Sequence, residues 1–228
     1  MIESPNATTS SRGEWSLSDS VKPYHRHAFA CTGARSWPAR LEDAPGLLGT
    51  MARDVRDLRE AEGPIPKLTA TDEPSTGRGI DLLVFPESVR YRVADVDAWR
   101  SVLADHLRGG RLASLDSDSL PGRHVFVCVH MARDERCGNC GPPLLAALEA
   151  AVAARGLADV TLRATSHVGG HKYAGNVIVY PEGVWYGYVR PDDAERLVRE
   201  HLVEGRILED LHRGGMRDRV RSAGDPVP

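Results

Sequence analysis

At 228 residues, with 41% hydrophobic and 27% charged side chains, the chain has the composition of a folded globular protein of one large or two modest domains. Its formal net charge of −3, with the signs interspersed, excludes the broad basic face that neutralises nucleic-acid phosphates. No apolar run reaches the roughly 18 residues that a membrane span needs, and the first residues are polar. Neither a membrane partner nor a secretory leader is therefore expected, and the sequence points to the cytoplasm. In that reducing compartment the four cysteines read as ligands or redox groups rather than as a disulfide framework, and Asn6-Ala7-Thr8 is a chance glycosylation triplet.

In chain order, residues 1–24 read as a polar tail. His27-Ala28-Phe29-Ala30-Cys31 has strand length and composition, and an irregular loop and a helix are expected after it. Residues 112–123 (LASLDSDSLPGR) are polar and turn-rich and read as a linker. Beyond it the pattern starts again. His124-Val125-Phe126-Val127-Cys128 aligns with residues 27–31, and Pro142, Leu144 and Leu145 align with Pro45, Leu47 and Leu48. With a short gap, Val179, Pro181, Glu182, Val184, Tyr186, His201 and Leu202 fall on Val84, Pro86, Glu87, Val89, Tyr91, His106 and Leu107. Such self-similarity at a period of about 95 residues marks a duplicated unit.

The second copy is the clearer one. Pro142 and Pro143 suit the first turn of a helix whose Leu145, Leu148 and Val152 share a face and which Gly156 ends. A strand runs through Val160-Thr161-Leu162, and after a glycine-rich loop Val177–Tyr180 and Val184–Tyr188 flank Pro181-Glu182-Gly183 as a hairpin. A last helix begins at Pro191, with Asp192 and Asp193 in its positive first turn and Ala194, Leu197, Val198 and Leu202 as its buried stripe. The order βαβββα, a parallel pair joined through a helix and then an antiparallel hairpin, predicts an α/β protein of two tandem thioredoxin-like units. They would span residues 25–111 and 124–212, with a second tail over 213–228.

A duplicated fold needs its core in both copies but its chemistry in only one. Cys128 ends the first strand of the second unit, Cys137 follows in the loop after it, and His167 and His171 bracket Val168-Gly169-Gly170 after the next strand. The corresponding residues of the first unit are Cys31, Arg40, Asp72 and Thr76, so that unit is expected to be a scaffold without a metal site. Loops that follow neighbouring parallel strands meet at one edge of the sheet, which brings Cys128, Cys137, His167 and His171 together. Two thiolates and two imidazoles suit either zinc or an iron–sulfur centre. Structural zinc sites usually open with a tight C-x2–4-C pair, which here would be Cys137 and Cys140 and would leave Cys128 without a role.

The runs Cys128-Val129-His130-Met131-Ala132-Arg133-Asp134-Glu135-Arg136-Cys137-Gly138 and His167-Val168-Gly169-Gly170-His171-Lys172-Tyr173-Ala174-Gly175-Asn176-Val177, with Gly141-Pro142 between them, resemble the sucrase/ferredoxin-like family of thioredoxin-like ferredoxins. The resemblance covers roughly residues 25–212 and is most specific over 124–177. It implies a [2Fe–2S] cluster held by Cys128, Cys137, His167 and His171, with Cys140 as a departure from the pattern. It further implies an electron carrier or oxidoreductase component, served by a reductase or an electron acceptor. With two imidazole ligands its potential is expected above the roughly −400 mV of an all-cysteine plant-type ferredoxin, and electron transfer is expected to be coupled to protons.

Plainer readings stand beside these. Cys128 alone would be a small core hydrophobe, and His27, His124, His106 and His201 recur in both units and read as structural. His130 is a weaker candidate ligand, Arg133 and Asp134 read as a loop ion pair, Lys172 and Tyr173 as rim residues, and Trp185 and Tyr186 as hairpin core. Cys137-Gly138-Asn139-Cys140 at a helix start keeps a thiol–disulfide oxidoreductase open as an alternative, and a structural zinc module is a third. No pair of carboxylates stands out for glycoside cleavage.

Overall fold

The computed structural model describes residues 16–17, 19–58 and 65–216. The triplet Asn6-Ala7-Thr8 and the outer parts of both expected tails lie outside them. The first half contains β1 (His27–Cys31), α1 (Gly46–Asp57), β2 (Lys67–Thr71), β3 (Ile80–Phe85), β4 (Val89–Val93), α2 (Val96–Ser101), which continues in wider π-type turns over Val102–Arg108, and β5 (Ser117–Ser119). The second contains β6 (Arg123–Cys128), α3 (Glu135–Ala154), β7 (Val160–Thr165), β8 (Val177–Tyr180), β9 (Val184–Tyr186), α4 (Ala194–Leu197), which continues as π-type turns over Val198–Val203, and β10 (His212–Gly215).

All ten strands join one mixed sheet in the order β10-β9-β8-β6-β7-β2-β1-β3-β4-β5. In each half the first strand pairs in parallel with the second and antiparallel with the third, so both halves follow the same strand order outward from the centre. The halves meet where β2 and β7 pair antiparallel at Thr71↔Thr165. Side chains bolster this narrow seam, since Thr71 Oγ1 donates to the Ala164 carbonyl at 2.9 Å and Thr165 Oγ1 to the Ala70 carbonyl at 2.8 Å.

Period-two alternation assigns each face. Ala28 and Ala30 of β1 and Leu82 and Val84 of β3 pack with Leu48, Met51 and Trp99 of the first half's helices. Val125 and Val127 of β6 pack likewise with Leu144, Leu145 and Leu148 of α3 and Leu197 of α4. The alternate residues Phe29, Cys31, Leu83, Phe85, Phe126, Cys128, Ile178 and Tyr180 form a third cluster common to both halves. Phe29 and Phe126 stack with ring centres 3.6 Å apart although two strands lie between β1 and β6 in the sheet order, so the sheet folds over at its seam. The repeated histidines are structural, as expected: His106 and His201 lie 3.0 and 2.7 Å from the hydroxyls of Tyr91 and Tyr186.

Several elements differ from the sequence expectation. Helix α3 starts at Glu135 rather than near Pro142, because Asp134 caps it by accepting from the Arg136 amide at 3.1 Å, and Cys137 therefore sits in a helical turn, not in a loop. Both prolines lie inside the helix. Gly141 is required where α3 crosses the end of β6, because a Cβ there would stand 2.2 Å from the Cys128 carbonyl oxygen. Ser117–Ser119, inside the expected linker, forms edge strand β5, held by ion pairs from Arg92 to Asp116 and Asp118. Residues 213–215, expected in a tail, complete β10, and Tyr24 of the expected N-terminal tail is buried beneath Trp185. No helix among the described residues is long and apolar enough to cross a membrane.

Candidate metal centre

Three segments of the second half converge. Strand β6 delivers Cys128 at its last position, where the Cys128 amide donates to the Asn176 carbonyl at 3.1 Å. The first turn of α3 delivers Cys137, and the loop after β7 delivers His167. The two Sγ atoms and a ring nitrogen of His167 all lie within 4.8 Å of one another. Both cysteines are buried at 1% exposure. His171 follows Gly170, whose positive φ of 74° turns the chain back, and it lies outside that trio. Its ring centre is 5.6 Å from that of His167, and its Nδ1 is 3.6 Å from Asp134 Oδ2, too long for a hydrogen bond.

The two thiols share their protons unequally. Cys128 is pushed well below the usual thiol range by the hydrogen bond from Cys137, against the effect of burial, with further help from His167 and the amides of His130 and Val168. Cys137 is pushed up by the same partner and by burial. Cys128 therefore lies where a thiolate is stabilised by its hydrogen bonds, close to the start of a helix whose free amides suit negative charge. The Nδ1 atoms of His167 and His171 are buried without hydrogen-bond partners among the described residues, which is costly for a polar atom unless something accepts or ligates there. Soft sulfur and imidazole donors with orphaned nitrogens fit zinc or an iron–sulfur centre.

His130 is occupied elsewhere. Its Nδ1 accepts from the His167 amide at 3.0 Å and its Nε2 donates to the Trp37 carbonyl at 3.1 Å, so it positions the His167 loop and offers no free nitrogen. Asp134 pairs with Arg136 at 2.9 Å rather than with Arg133, because the α3 cap brings residue 136 back over it; that bond holds Asp134 down at about 2. Lys172 is exposed beside the buried ring of Tyr173, and Trp185 and Tyr186 are core. Cys140 is exposed and lies outside the trio.

In the first half the matching residues have other work. Arg35 pairs with Asp72 at 2.7 Å, Thr76 Oγ1 donates to Asp81 at 2.8 Å, and burial pushes the Cys31 thiol up to about 12. Sequence reading missed Arg213, which lies in β10 and is 2% exposed. It donates to Asn176 Oδ1 and Ser20 Oγ and reaches the Gly169 carbonyl, behind the histidine loop.

The fold and site together define a mixed α/β protein with a candidate cysteine–histidine metal centre in one half. Residues 17–214 match the sucrase/ferredoxin-like family, and the chain belongs to it. Among curated relatives, altered inheritance of mitochondria protein 32 of Clavispora lusitaniae is 47% identical over 93 residues, covering 40% of this chain and 34% of that protein. The protein of the same name from Kluyveromyces lactis is 27% identical over 255 residues, covering 88% of this chain and 77% of that one. The leading curated match thus spans about a third of the relative's length. A thioredoxin-like [2Fe-2S] ferredoxin from Aquifex aeolicus superposes with a TM-score of 0.38 at 26% identity, over 41% of this chain and 98% of that chain.

Proposed function

We propose that this chain is a redox protein of the electron-transfer class, with a [2Fe–2S] cluster held by Cys128, Cys137, His167 and His171. The observation that carries the reading is the buried meeting of Cys128, Cys137 and His167 within 4.8 Å, beside two orphaned imidazole nitrogens. Residues 25–111 and 124–212 are, on this reading, two tandem thioredoxin-like units, and the first is a scaffold whose equivalents Arg40, Asp72 and Thr76 supply neither a second thiolate nor an imidazole.

When bound, such a cluster supplies one-electron chemistry at a potential that imidazole ligation raises above all-cysteine ferredoxins. The chain's own residues do the rest. Cys128 and Cys137 would bind as thiolates and release their protons on binding, with hydrogen bonds to Cys128 easing its deprotonation. The hydrogen bond from the His167 backbone amide to His130 Nδ1 fixes His167, and His171 would close the set from the partly exposed rim. An imidazole that ligated the cluster would keep a second ring nitrogen able to carry a proton, which would couple electron transfer to protons. Where one proton follows one electron, the midpoint potential falls by about 59 mV per pH unit.

The protein works on this reading in the cytoplasm as a carrier or oxidoreductase component, with a reductase or electron acceptor as partner and neither nucleic acid nor membrane. A dithiol mechanism at Cys137 and Cys140 is less well supported, because Cys137 is buried while Cys140 is exposed outside the trio, whereas a reactive thiol needs access. Anaerobic purification followed by iron, sulfide and zinc analysis and a visible spectrum is the test. Equal iron and acid-labile sulfide with visible absorption bear the reading out; a colourless protein with stoichiometric zinc overturns it.

A further inference from the structure

The narrow seam between β2 and β7 leaves a cleft. Because the two strands pair only at Thr71↔Thr165, the start of β2 and the loop after β7 part company and a cavity of about 760 Å³ opens between them. Its walls come from the segment before β1, the turn before α1, α1 itself, the first residues of β2 and the loop 166–169. That volume is in the range of small-molecule sites, which favour junctions between halves of a fold.

Among the described residues the charge on the walls is one-sided: Lys22, Arg40, Arg56, Lys67 and Arg133 line the cleft against a single acid, Glu42. Arg56 is paired with Asp57, and Lys67 lies over the rings of Tyr24 and Trp185 at 5.3 and 5.1 Å. The side chains of Lys22, Arg40 and Arg133 have no ion pair or hydrogen bond among the described residues. Like charges gathered around a concavity raise its potential and favour an anion in it. Between these cations the wall is apolar, formed by Tyr24, Leu41, Val55 and Leu68. His167, Val168 and Gly169 close one end, so an occupant lies against the loop of the candidate metal centre.

We propose that this cleft binds a small organic anion, a phosphate or carboxylate carried on a flat apolar body, with Arg40 and Arg133 recognising the charge. The inference goes beyond the electron-transfer reading and stands without it, since the cleft and its cations are independent of what the cysteines hold.

Equilibrium dialysis of the full chain as purified tests it with three probes of one body: 1-naphthyl phosphate, 1-naphthoate and the neutral 1-naphthol. At least one anion is expected to bind tenfold or more tightly than naphthol, and the tighter of the two identifies the headgroup. Arg40→Glu with Arg133→Glu is expected to weaken that anion at least tenfold and to leave naphthol unchanged. Arg100→Glu with Arg199→Glu, the same charge change at exposed sites outside the cleft, is expected to leave all three unchanged. No retention of either anion, equal binding of naphthol, or an undiminished affinity in the Arg40/Arg133 variant overturns the proposal. Iron content measured on the same samples separates this result from the electron-transfer reading, because the anion is retained whether or not iron is present.

Discussion

The guanidinium of Arg213 lies over the ring of Tyr173, 4.4 Å from its centre, and this contact backs the loop that carries both histidines. Arg213 also donates to Asn176 Oδ1, while Asn176 Nδ2 donates to the Gly170 carbonyl at 3.1 Å, so one buried cation braces residues 169–176. Burial lowers its hold on its proton to about 10, and it has no carboxylate partner among the described residues. Nearby Tyr173, Cys137, Tyr188 and Cys128 act in the opposite direction to burial. A buried cation is tolerated when its N–H groups are satisfied, and the Ser20, Gly169 and Asn176 oxygens accept from it here.

Arg213→Gln therefore lowers the midpoint potential, because the cation that offsets an added electron is gone. Voltammetry on protein of matched iron content checks this. An unchanged potential would mean that Arg213 serves the loop's shape alone.

Ligand variants separate the two cysteine pairs. Cys128→Ser, Cys137→Ser, His167→Ala and His171→Ala each lose or strongly perturb the bound iron, whereas Cys31→Ser and Cys140→Ser keep it. Cys31 lies in the core cluster common to both halves but outside the trio, and Cys140 is exposed outside it. Iron retained in Cys128→Ser but lost in Cys140→Ser would reassign the pair.

Acid stability depends on buried neutral histidines. His201 is 2% exposed, and burial lowers it to about 4, with Glu182, Arg123 and His212 as its charged surroundings. The unfolded chain takes up a proton near the ordinary histidine value while the folded chain waits until about pH 4, so this contribution is complete above pH 6.5 and is lost as pH falls towards 4. Between pH 7 and 4.5 the parent is expected to lose on the order of 2 kcal/mol more stability than His201→Gln. Denaturant unfolding at both pH values measures the difference, and parallel losses would place the acid sensitivity elsewhere.

The apolar strands, the similarity of the two halves and the meeting of Cys128, Cys137 and His167 could be read from the sequence because each leaves a local signal: alternation in Val125-Phe126-Val127, paired prolines, and cysteines and histidines present in one copy only. What could not be read depends on contacts between distant residues. β5 is built from Ser117-Asp118-Ser119 and β10 from His212-Arg213-Gly214-Gly215, neither of which has strand composition; partners β4 and β9 impose it. The pairing of Thr71 with Thr165, which makes one sheet of two halves, rests on side-chain bonds that no pattern announces. The early start of α3 was signalled by Asp134, but the prolines at 142 and 143 are the louder mark.

Whether two imidazoles share the metal centre with two thiolates is decided by pulsed electron paramagnetic resonance on the reduced protein, grown with nitrogen-15 histidine. The account predicts two strongly coupled histidine nitrogens, one removed in His167→Cys and the other in His171→Cys. A paramagnetic cluster without coupled histidine nitrogen, or one whose couplings survive both substitutions, would contradict it.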